Sequence, residues 1–128
     1  MIDWNQVEHF KAGEFACRHC DANLIQPGLV FKLDELREAF GKPMTVTSGY
    51  RCPEHNQAVS TTGPTGPHTT GLACDIGVSG RDAVVVLRLA LQAGFTGIGV
   101  QQKGGGRFIH LDLIPDSFSA KRPWIWSY

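Results

Sequence analysis

Three residues of the sequence combine metal-ligand chemistry with unusual surroundings. His68 lies in a loop rich in glycine and proline, Asp75 interrupts the apolar run 72–78, and His110 lies within the apolar run 107–113. A carboxylate among apolar neighbours is costly unless it is paired, protonated or bound to a metal. Two imidazoles and one carboxylate form a set that suits catalytic zinc and leaves a fourth position for water, whose pKa zinc lowers to about 7.

These residue types also allow interpretations without a metal. A buried histidine more commonly donates a hydrogen bond to a backbone carbonyl than it binds a metal. Asp75 could equally be the buried partner of Arg51 or of Arg107. The spacing of the three residues alone therefore leaves a metal centre and a structural ion pair both open.

The elements that would position these residues can be predicted from periodicity and turn residues. Apolar residues at three- and four-residue steps predict a helix that follows Pro27 and ends at Phe40, before Gly41. Further helices are predicted at 53–59 and 80–93, the second with Ala83, Val84, Leu87 and Leu91 on its apolar side. Strands are predicted at 44–47, 72–78, 97–100 and 107–113, with a flexible hairpin loop at 103–106.

This order of elements favours a small α+β domain with a mainly antiparallel sheet flanked by helices. Because the strand at 72–78 leads into a helix, one parallel crossover remains possible. Residues 60–71 are expected to form a loop that holds His68, the first stretch through Asp21 to wrap around the domain, and the aromatic tail 121–128 to pack against it.

Length and composition limit the function further. The chain has 128 residues, of which 42% are hydrophobic and 19% charged, with no net formal charge. It is therefore expected to form one folded domain over residues 1–128, without the basic excess of a charge-driven nucleic-acid binder. No apolar run approaches the about 20 residues that span a bilayer, and the polar N-terminus lacks a secretion signal.

Four cysteines are present, and in a chain without an export signal they are expected to be reduced. Cys17 and Cys20 form a C-x-x-C pair, whereas Cys52 and Cys74 are isolated in the sequence. A single pair supplies two ligands, and structural zinc usually takes four. Buried or weakly reactive thiols are therefore expected rather than a structural zinc site.

Three motifs occur in series: TSGYRCPEHN (47–56), HTTGLACDI (68–76) and GIGV…FIHLD (97–112). Together they resemble the zinc D-Ala-D-Ala carboxypeptidases of peptidase family M15, particularly its short phage and prophage members. The resemblance extends over roughly residues 8 to 126. It implies the fold of the hedgehog and D,D-peptidase domains.

The resemblance assigns roles to individual residues. It implies that His68, Asp75 and His110 bind one Zn²⁺ per chain. Arg51 matches the family arginine that binds the substrate or the developing oxyanion, a role suited to the forked donors of a guanidinium. Gly71 would allow a tight turn after the first ligand.

The sequence departs from the family pattern at two positions. Gly66 occupies the place of a serine two residues before the first ligand. Arg107 occupies the place where many members have a Glu or His as general base, and arginine cannot accept a proton at neutral pH. Asp112 is the candidate base, because residues two apart in a strand face the same side, and Asp112 would accompany His110. Asp112 could instead orient a metal ligand. His55 is a further polar candidate, or part of a solvated helix surface.

The function that the resemblance implies is hydrolysis of peptidoglycan stem peptides, by a D-Ala-D-Ala carboxypeptidase or an L-Ala-D-Glu endopeptidase that uses zinc-activated water. The expected partners are peptidoglycan peptides, not nucleic acid or membrane, and the chain is expected to be monomeric. A phage- or prophage-encoded lysin would stay in the host cytoplasm until it is released to the cell wall, or be carried by the virion. The alternative is a non-catalytic zinc-containing binding module or phage structural module of the same fold.

Overall fold

The computed structural model describes all residues, 1–128, as three helices and one five-stranded sheet, with short 3-10 turns in the N-terminal segment and around His68. The elements, in chain order, are α1 (Pro27–Phe40), β1 (Thr45–Ser48), α2 (Pro53–Val59), β2 (Ala73–Gly77), α3 (Gly80–Ala93), β3 (Gly97–Gln101), β4 (Phe108–Asp112) and β5 (Trp124–Ser127). The expected α+β domain with a mainly antiparallel sheet is confirmed.

The sheet has the strand order β1-β2-β4-β3-β5, and every neighbouring pair is antiparallel except β3 with β5. β2 is therefore antiparallel to both of its neighbours, so the possible parallel crossover after β2 is not present. The one parallel pair forms instead at the edge of the sheet, where the aromatic tail adds β5 beside β3. This strand was not predicted as a strand, and Trp124, Ile125 and Tyr128 remain half exposed.

The apolar side of α3 differs from the prediction. Ala83, Val86 and Ala90 are buried, whereas Val84 and Leu91 are more than half exposed. The helix is apolar on most of its circumference, so several stripes have the correct spacing and periodicity cannot select among them. The narrow side chains of Ala83 and Ala90 allow α3 to pack closely against the sheet and α1.

Strand alternation divides the two faces of the sheet into a core face and a polar face. Ile109 and Leu111 of β4 point into the main core, which also contains residues of α1 and α3. His110 and Asp112 alternate with them and so lie on the opposite face. Their burial shows that this second face is covered as well. None of the helices combines the length and the apolar character needed to cross a bilayer.

Candidate metal centre and substrate cavity

The polar face of the sheet brings His68, Asp75 and His110 together. Asp75 and His110 are directly opposite each other in the pairing of β2 with β4. His68 reaches them from a 3-10 turn that ends at Gly71, whose positive φ of 77° provides the tight turn expected there. Asp75 Oδ1 lies 3.3 Å from His68 Nε2 and 3.1 Å from His110 Nδ1. All three side chains are buried.

In each imidazole, the outer nitrogen, which is the one that points away from Asp75, faces a group that can only accept a hydrogen bond. His68 Nδ1 donates to the carbonyl oxygen of Gly49 at 2.8 Å. His110 Nε2 donates to Asp112 Oδ2 at 2.8 Å. These bonds place the proton of each neutral ring on its outer nitrogen, so the lone pairs of His68 Nε2 and His110 Nδ1 point at the same carboxylate oxygen. Two nitrogen lone pairs and one carboxylate oxygen therefore face one another in a buried site, and a cation between them would stabilise this arrangement.

The donor set and its spacing fit zinc. Zinc bonds of 2.0–2.2 Å in a tetrahedral site separate neighbouring N and O ligand atoms by about 3.3 Å. The two distances to Asp75 Oδ1, 3.3 and 3.1 Å, agree with such edges. The hydrogen bonds on the outer nitrogens are also those that orient histidine ligands in metalloproteins.

The electrostatics of the centre favour an ionised carboxylate. Burial raises the pKa of Asp75, but the adjacent imidazoles of His110 and His68, which would carry positive charge when protonated, outweigh it and hold this pKa well below its usual range. Burial lowers the pKa of His110, whereas its hydrogen bonds to Asp112 and Asp75 raise it above the ordinary value. Without a cation, His110 is therefore driven to take up a proton, which supplies positive charge that a metal ion would otherwise provide.

Arg51 lies beside this centre and is held in a fixed orientation. Its Nε donates to Ser48 Oγ at 3.0 Å, and its Nη1 donates to the buried Asn56 Oδ1 at 3.1 Å. Its Nη2 approaches Asp75 Oδ2 at 3.4 Å. The Arg51–Asp75 ion pair that the sequence suggested is therefore present. It does not exclude the metal centre, because the other oxygen of Asp75 faces His68 and His110. Arg107 is exposed and donates to the Gly104 carbonyl, so it is not a partner of Asp75.

Asp112 lies behind His110 and has no exposed surface. Its two oxygens accept from Arg122 Nε and Nη2 at 3.0 and 2.9 Å, and Oδ2 also accepts from His110. Burial raises the pKa of Asp112, but the hydrogen bonds from His110 and Arg122 lower it below its ordinary value. Of the two roles considered for Asp112, this arrangement favours orientation of His110 over contact with a substrate.

A cavity of about 780 Å³ opens beside the centre. Arg51, His68, Asp75 and His110 line it, and Asp75 is its only acidic residue. The rest of the lining is largely hydroxyl-bearing or aromatic: Ser60, Thr61, Thr62, Phe108, Trp126, Ser127 and Tyr128. This volume can accommodate a short peptide segment.

Sequence reasoning missed the residues that the tail contributes to the site. Arg122 holds Asp112, and the ring of Trp126 packs against that of His110 with centroids 4.9 Å apart. Arg122 also lies over the Trp126 ring, 5.4 Å from its centroid. Gly99 makes this possible, because a Cβ there would come within 2.6 Å of Trp126 Nε1. The glycines in GIGV, opposite FIHLD, were the available signal that a bulky group covers this face.

The glycine at position 66, where the family pattern has a serine, is explained by its neighbours. A Cβ at this position would come within 2.8 Å of Asn56 Nδ2 and would collide with the hydroxyl of Thr62. The Thr62 hydroxyl accepts from Asn56 Nδ2 at 2.8 Å. Thr62 thus occupies the space that a side chain at position 66 would need, and it holds the asparagine that orients Arg51.

The fold and the site together define a small α+β domain with a candidate metal centre at the edge of a substrate-sized cavity. Comparison with known proteins identifies the family to which this domain belongs. The family model described as Peptidase M15 matches residues 8–112, and the chain therefore belongs to peptidase family M15. No curated protein sequence matches it.

The fold is also similar to that of a solved structure, the Serratia marcescens L-Ala D-Glu endopeptidase ChiX. The two chains are 22% identical and superimpose with a TM-score of 0.51, over 87% of this chain and 95% of the other. At this identity the likeness establishes the shared fold.

Proposed function

We propose that the protein is a zinc metallopeptidase whose metal ligands are His68, Asp75 and His110, with one catalytic zinc ion per chain. The observation that carries this proposal is the orientation of the two imidazoles, both of which direct a lone pair at Asp75 Oδ1. A cation between these atoms would satisfy all three without protonating either ring. Membership of peptidase family M15 supports the same chemistry.

When bound, zinc supplies a Lewis acid that activates water and polarises the scissile carbonyl. Arg51 supplies the second positive group. Three of its five N–H donors are directed at Ser48, Asn56 and Asp75, and the remaining two are free for the carbonyl or carboxylate of a peptide. Because these contacts fix the guanidinium before the substrate arrives, it stabilises developing oxyanion charge without a cost of reorganisation.

Asp112 acts through His110 in this proposal. Its carboxylate keeps the His110 proton on Nε2 and the ring in the plane that directs Nδ1 at the metal. Arg122 in turn keeps Asp112 ionised and in place through two hydrogen bonds. We therefore assign Asp112 and Arg122 as positioning residues.

The proposed substrates are peptidoglycan stem peptides, cleaved either as a D-Ala-D-Ala carboxypeptidase or as an L-Ala-D-Glu endopeptidase. The name of the Serratia structure supports the second specificity. The lining of the cavity suits a short peptide with a carboxylate. Arg51 supplies a permanent positive charge for the carboxylate, and the hydroxyl groups supply further hydrogen bonds. The chain would act as a monomer and reach the wall after host lysis, through a holin or with the virion.

The proposal is tested by incubating zinc-loaded protein with purified peptidoglycan and analysing the released fragments by mass spectrometry. Loss of a terminal D-Ala identifies the carboxypeptidase, and cleavage between L-Ala and D-Glu identifies the endopeptidase. Intact stem peptides after incubation with fully zinc-loaded protein would contradict the proposal.

A second candidate function is a non-catalytic zinc-containing binding or phage structural module. One observation favours it: the cavity has no acidic residue other than Asp75, so no free carboxylate is placed to accept a proton. This candidate predicts that loaded protein binds stem peptides through Arg51 and releases no fragment.

A further inference from the structure

A second cluster of metal-ligand side chains lies outside the cavity. The thiols of Cys17, Cys20 and Cys52 have their sulfur atoms within 4.8 Å of one another. The sequence suggested only a C-x-x-C pair, because Cys52 is 32 residues from Cys20. The fold closes this gap by packing the N-terminal segment against the start of α2. All three thiols are free.

The backbone around these thiols has the features of a metal-binding turn. The Asp21 amide donates to the Cys17 carbonyl at 2.9 Å, and Asp21 takes a positive φ of 66°, so the chain folds back directly after Cys20. Amide groups point at the sulfurs, with Cys52 N donating to Cys17 Sγ at 3.3 Å and His55 N donating to Cys52 Sγ at 3.4 Å. Such N–H···S bonds stabilise thiolates and orient them for a metal.

The fourth ligand is indicated by spacing. Cys52-Pro53-Glu54-His55 is a C-x-x-H pair, so with His55 the set would read C-x-x-C followed by C-x-x-H. Three cysteines and one histidine are a ligand set of structural zinc sites. The His55 ring stacks on that of His19 with centroids 5.7 Å apart, and His19 Nδ1 is 3.4 Å from Cys52 Sγ. The imidazole nitrogen that the structure places beside the thiols is therefore that of His19, whereas the C-x-x-H spacing indicates His55, so one of these two stacked histidines completes the set.

The charges of the cluster also fit a soft cation. Adjacent thiolates repel each other, and a bound divalent cation removes this repulsion.

We propose that Cys17, Cys20 and Cys52, completed by the imidazole of His19 or His55, bind a second zinc ion, which is structural. Thiolate ligands select zinc over magnesium and calcium, and four protein ligands leave no open position for a substrate. The ion ties the N-terminal segment to the stretch 49–52, which supplies both Arg51 and the Gly49 carbonyl that orients His68. The site thus braces two parts of the candidate active site without lining its cavity.

The test is the zinc content of the purified full chain, measured by elemental mass spectrometry. We expect two zinc ions per chain for the wild type and one for Cys20→Ser, whose exposed side chain belongs to neither hydrophobic cluster. Cys74→Ala is the matched control, because Cys74 is buried in the main core away from the cluster, and it is expected to retain both ions. Equal zinc content in wild type and Cys20→Ser would overturn the proposal.

Two further measurements keep the proposal falsifiable if the variants fold poorly. Wild-type protein loaded with cobalt(II) is expected to show sulfur-to-metal charge-transfer absorption, which a site of nitrogen and oxygen ligands does not give. Zinc retention against a competing chelator is compared for His19→Ala and His55→Ala, and the variant that lacks the fourth ligand is expected to release zinc faster than the other. Wild-type retention in both variants would contradict an imidazole ligand. Absence of the charge-transfer band, or a Cys17–Cys52 disulfide in freshly purified protein, would contradict a thiolate site.

Failure of this proposal and failure of the proposed peptidase centre give different results. If His68, Asp75 and His110 bind no metal, the wild type holds one zinc and Cys20→Ser holds none. If only the cysteine site fails, the wild type holds one zinc and Asp75→Ala holds none.

Discussion

The two clusters of ligand-type side chains are built in opposite ways. The His68–Asp75–His110 centre lies on a sheet face, uses nitrogen and oxygen donors, and borders a cavity of about 780 Å³. The cysteine cluster joins two irregular segments, is dominated by sulfur, and none of its residues lines that cavity. Three mixed ligands beside an open space suit catalysis, whereas a closed set rich in thiolate suits structural support. The difference indicates which cluster is expected to affect turnover and which is expected to affect folding.

The largest expected effect comes from the first cluster. His68→Ala, Asp75→Ala or His110→Ala removes a metal ligand and should lower peptidase activity at least about a thousandfold, equivalent to about 4 kcal/mol of transition-state stabilisation. Each variant should also lose one zinc per chain while the cysteine site stays loaded. Activity is measured on peptidoglycan with the exposed Glu35→Ala as control. A variant that keeps full activity would remove its residue from the centre.

Chelation separates the two clusters without mutation. Treatment with a chelator should abolish activity and added zinc should restore it, because three protein ligands would leave one metal position open to the cavity. The cysteine site should release its ion more slowly, since four protein ligands would hold it. Time courses of activity and of thiol reactivity during chelation measure the two releases. Simultaneous loss of both would contradict the contrast between the sites.

Substitution at Arg51 tests the cavity side of the centre. Arg51→Lys keeps the charge but loses the forked donors and the bond to Asn56, so kcat should fall about a hundredfold. Zinc content should remain that of the wild type, because Arg51 is not a ligand. Arg81→Lys, on the exposed start of α3, is the matched control. Unchanged kinetics in Arg51→Lys would exclude Arg51 from substrate or oxyanion binding.

Substitution of Asp112 should affect zinc binding more than the catalytic step. If it orients His110, Asp112→Asn should weaken zinc affinity by about 10–100-fold, and saturating zinc should restore much of the activity. Arg122→Gln should act in the same direction, because Arg122 holds the same carboxylate. Zinc titrations of both variants give the answer. An activity loss of a hundredfold or more at wild-type zinc affinity would instead show that Asp112 is the general base.

The smallest expected effect is on acid stability of the metal-free protein. The folded-state pKa of Asp112 is lowered, so its stabilisation is present above the unfolded-state value of 3.8 and is lost as pH falls through the folded-state value. Urea unfolding at about pH 6 and about pH 3 should show a smaller pH dependence for Asp112→Asn than for the wild type. An equal slope in both proteins would show that the Asp112 contacts contribute nothing to acid stability.

The sequence was sufficient to predict the helices, the first four strands and the three residues that converge at the candidate metal centre, because capping residues, apolar spacing and motif order are local signals. It was not sufficient for the packed side of α3, where Val84 and Val86 have equal hydrophobicity and only the neighbouring layer selects between them. It also missed β5, because an edge strand with half-exposed aromatics has no clear alternation.

Long-range contacts account for the remaining differences at the site. The pairing of Asp112 with Arg122 depends on the tail returning beside β3, which nothing in the local sequence specifies. Cys52 joins Cys17 and Cys20 only after the N-terminal segment packs against α2. In both cases the residue types were visible, but their partners are set by tertiary packing.

The central claim, that His68, Asp75 and His110 share one divalent cation, is tested most directly by crystals of zinc-loaded protein and anomalous diffraction at the zinc edge. We predict an anomalous peak within bonding distance of His68 Nε2, Asp75 Oδ1 and His110 Nδ1. A loaded crystal with no peak between these three atoms would contradict the account, whatever is found at the cysteines.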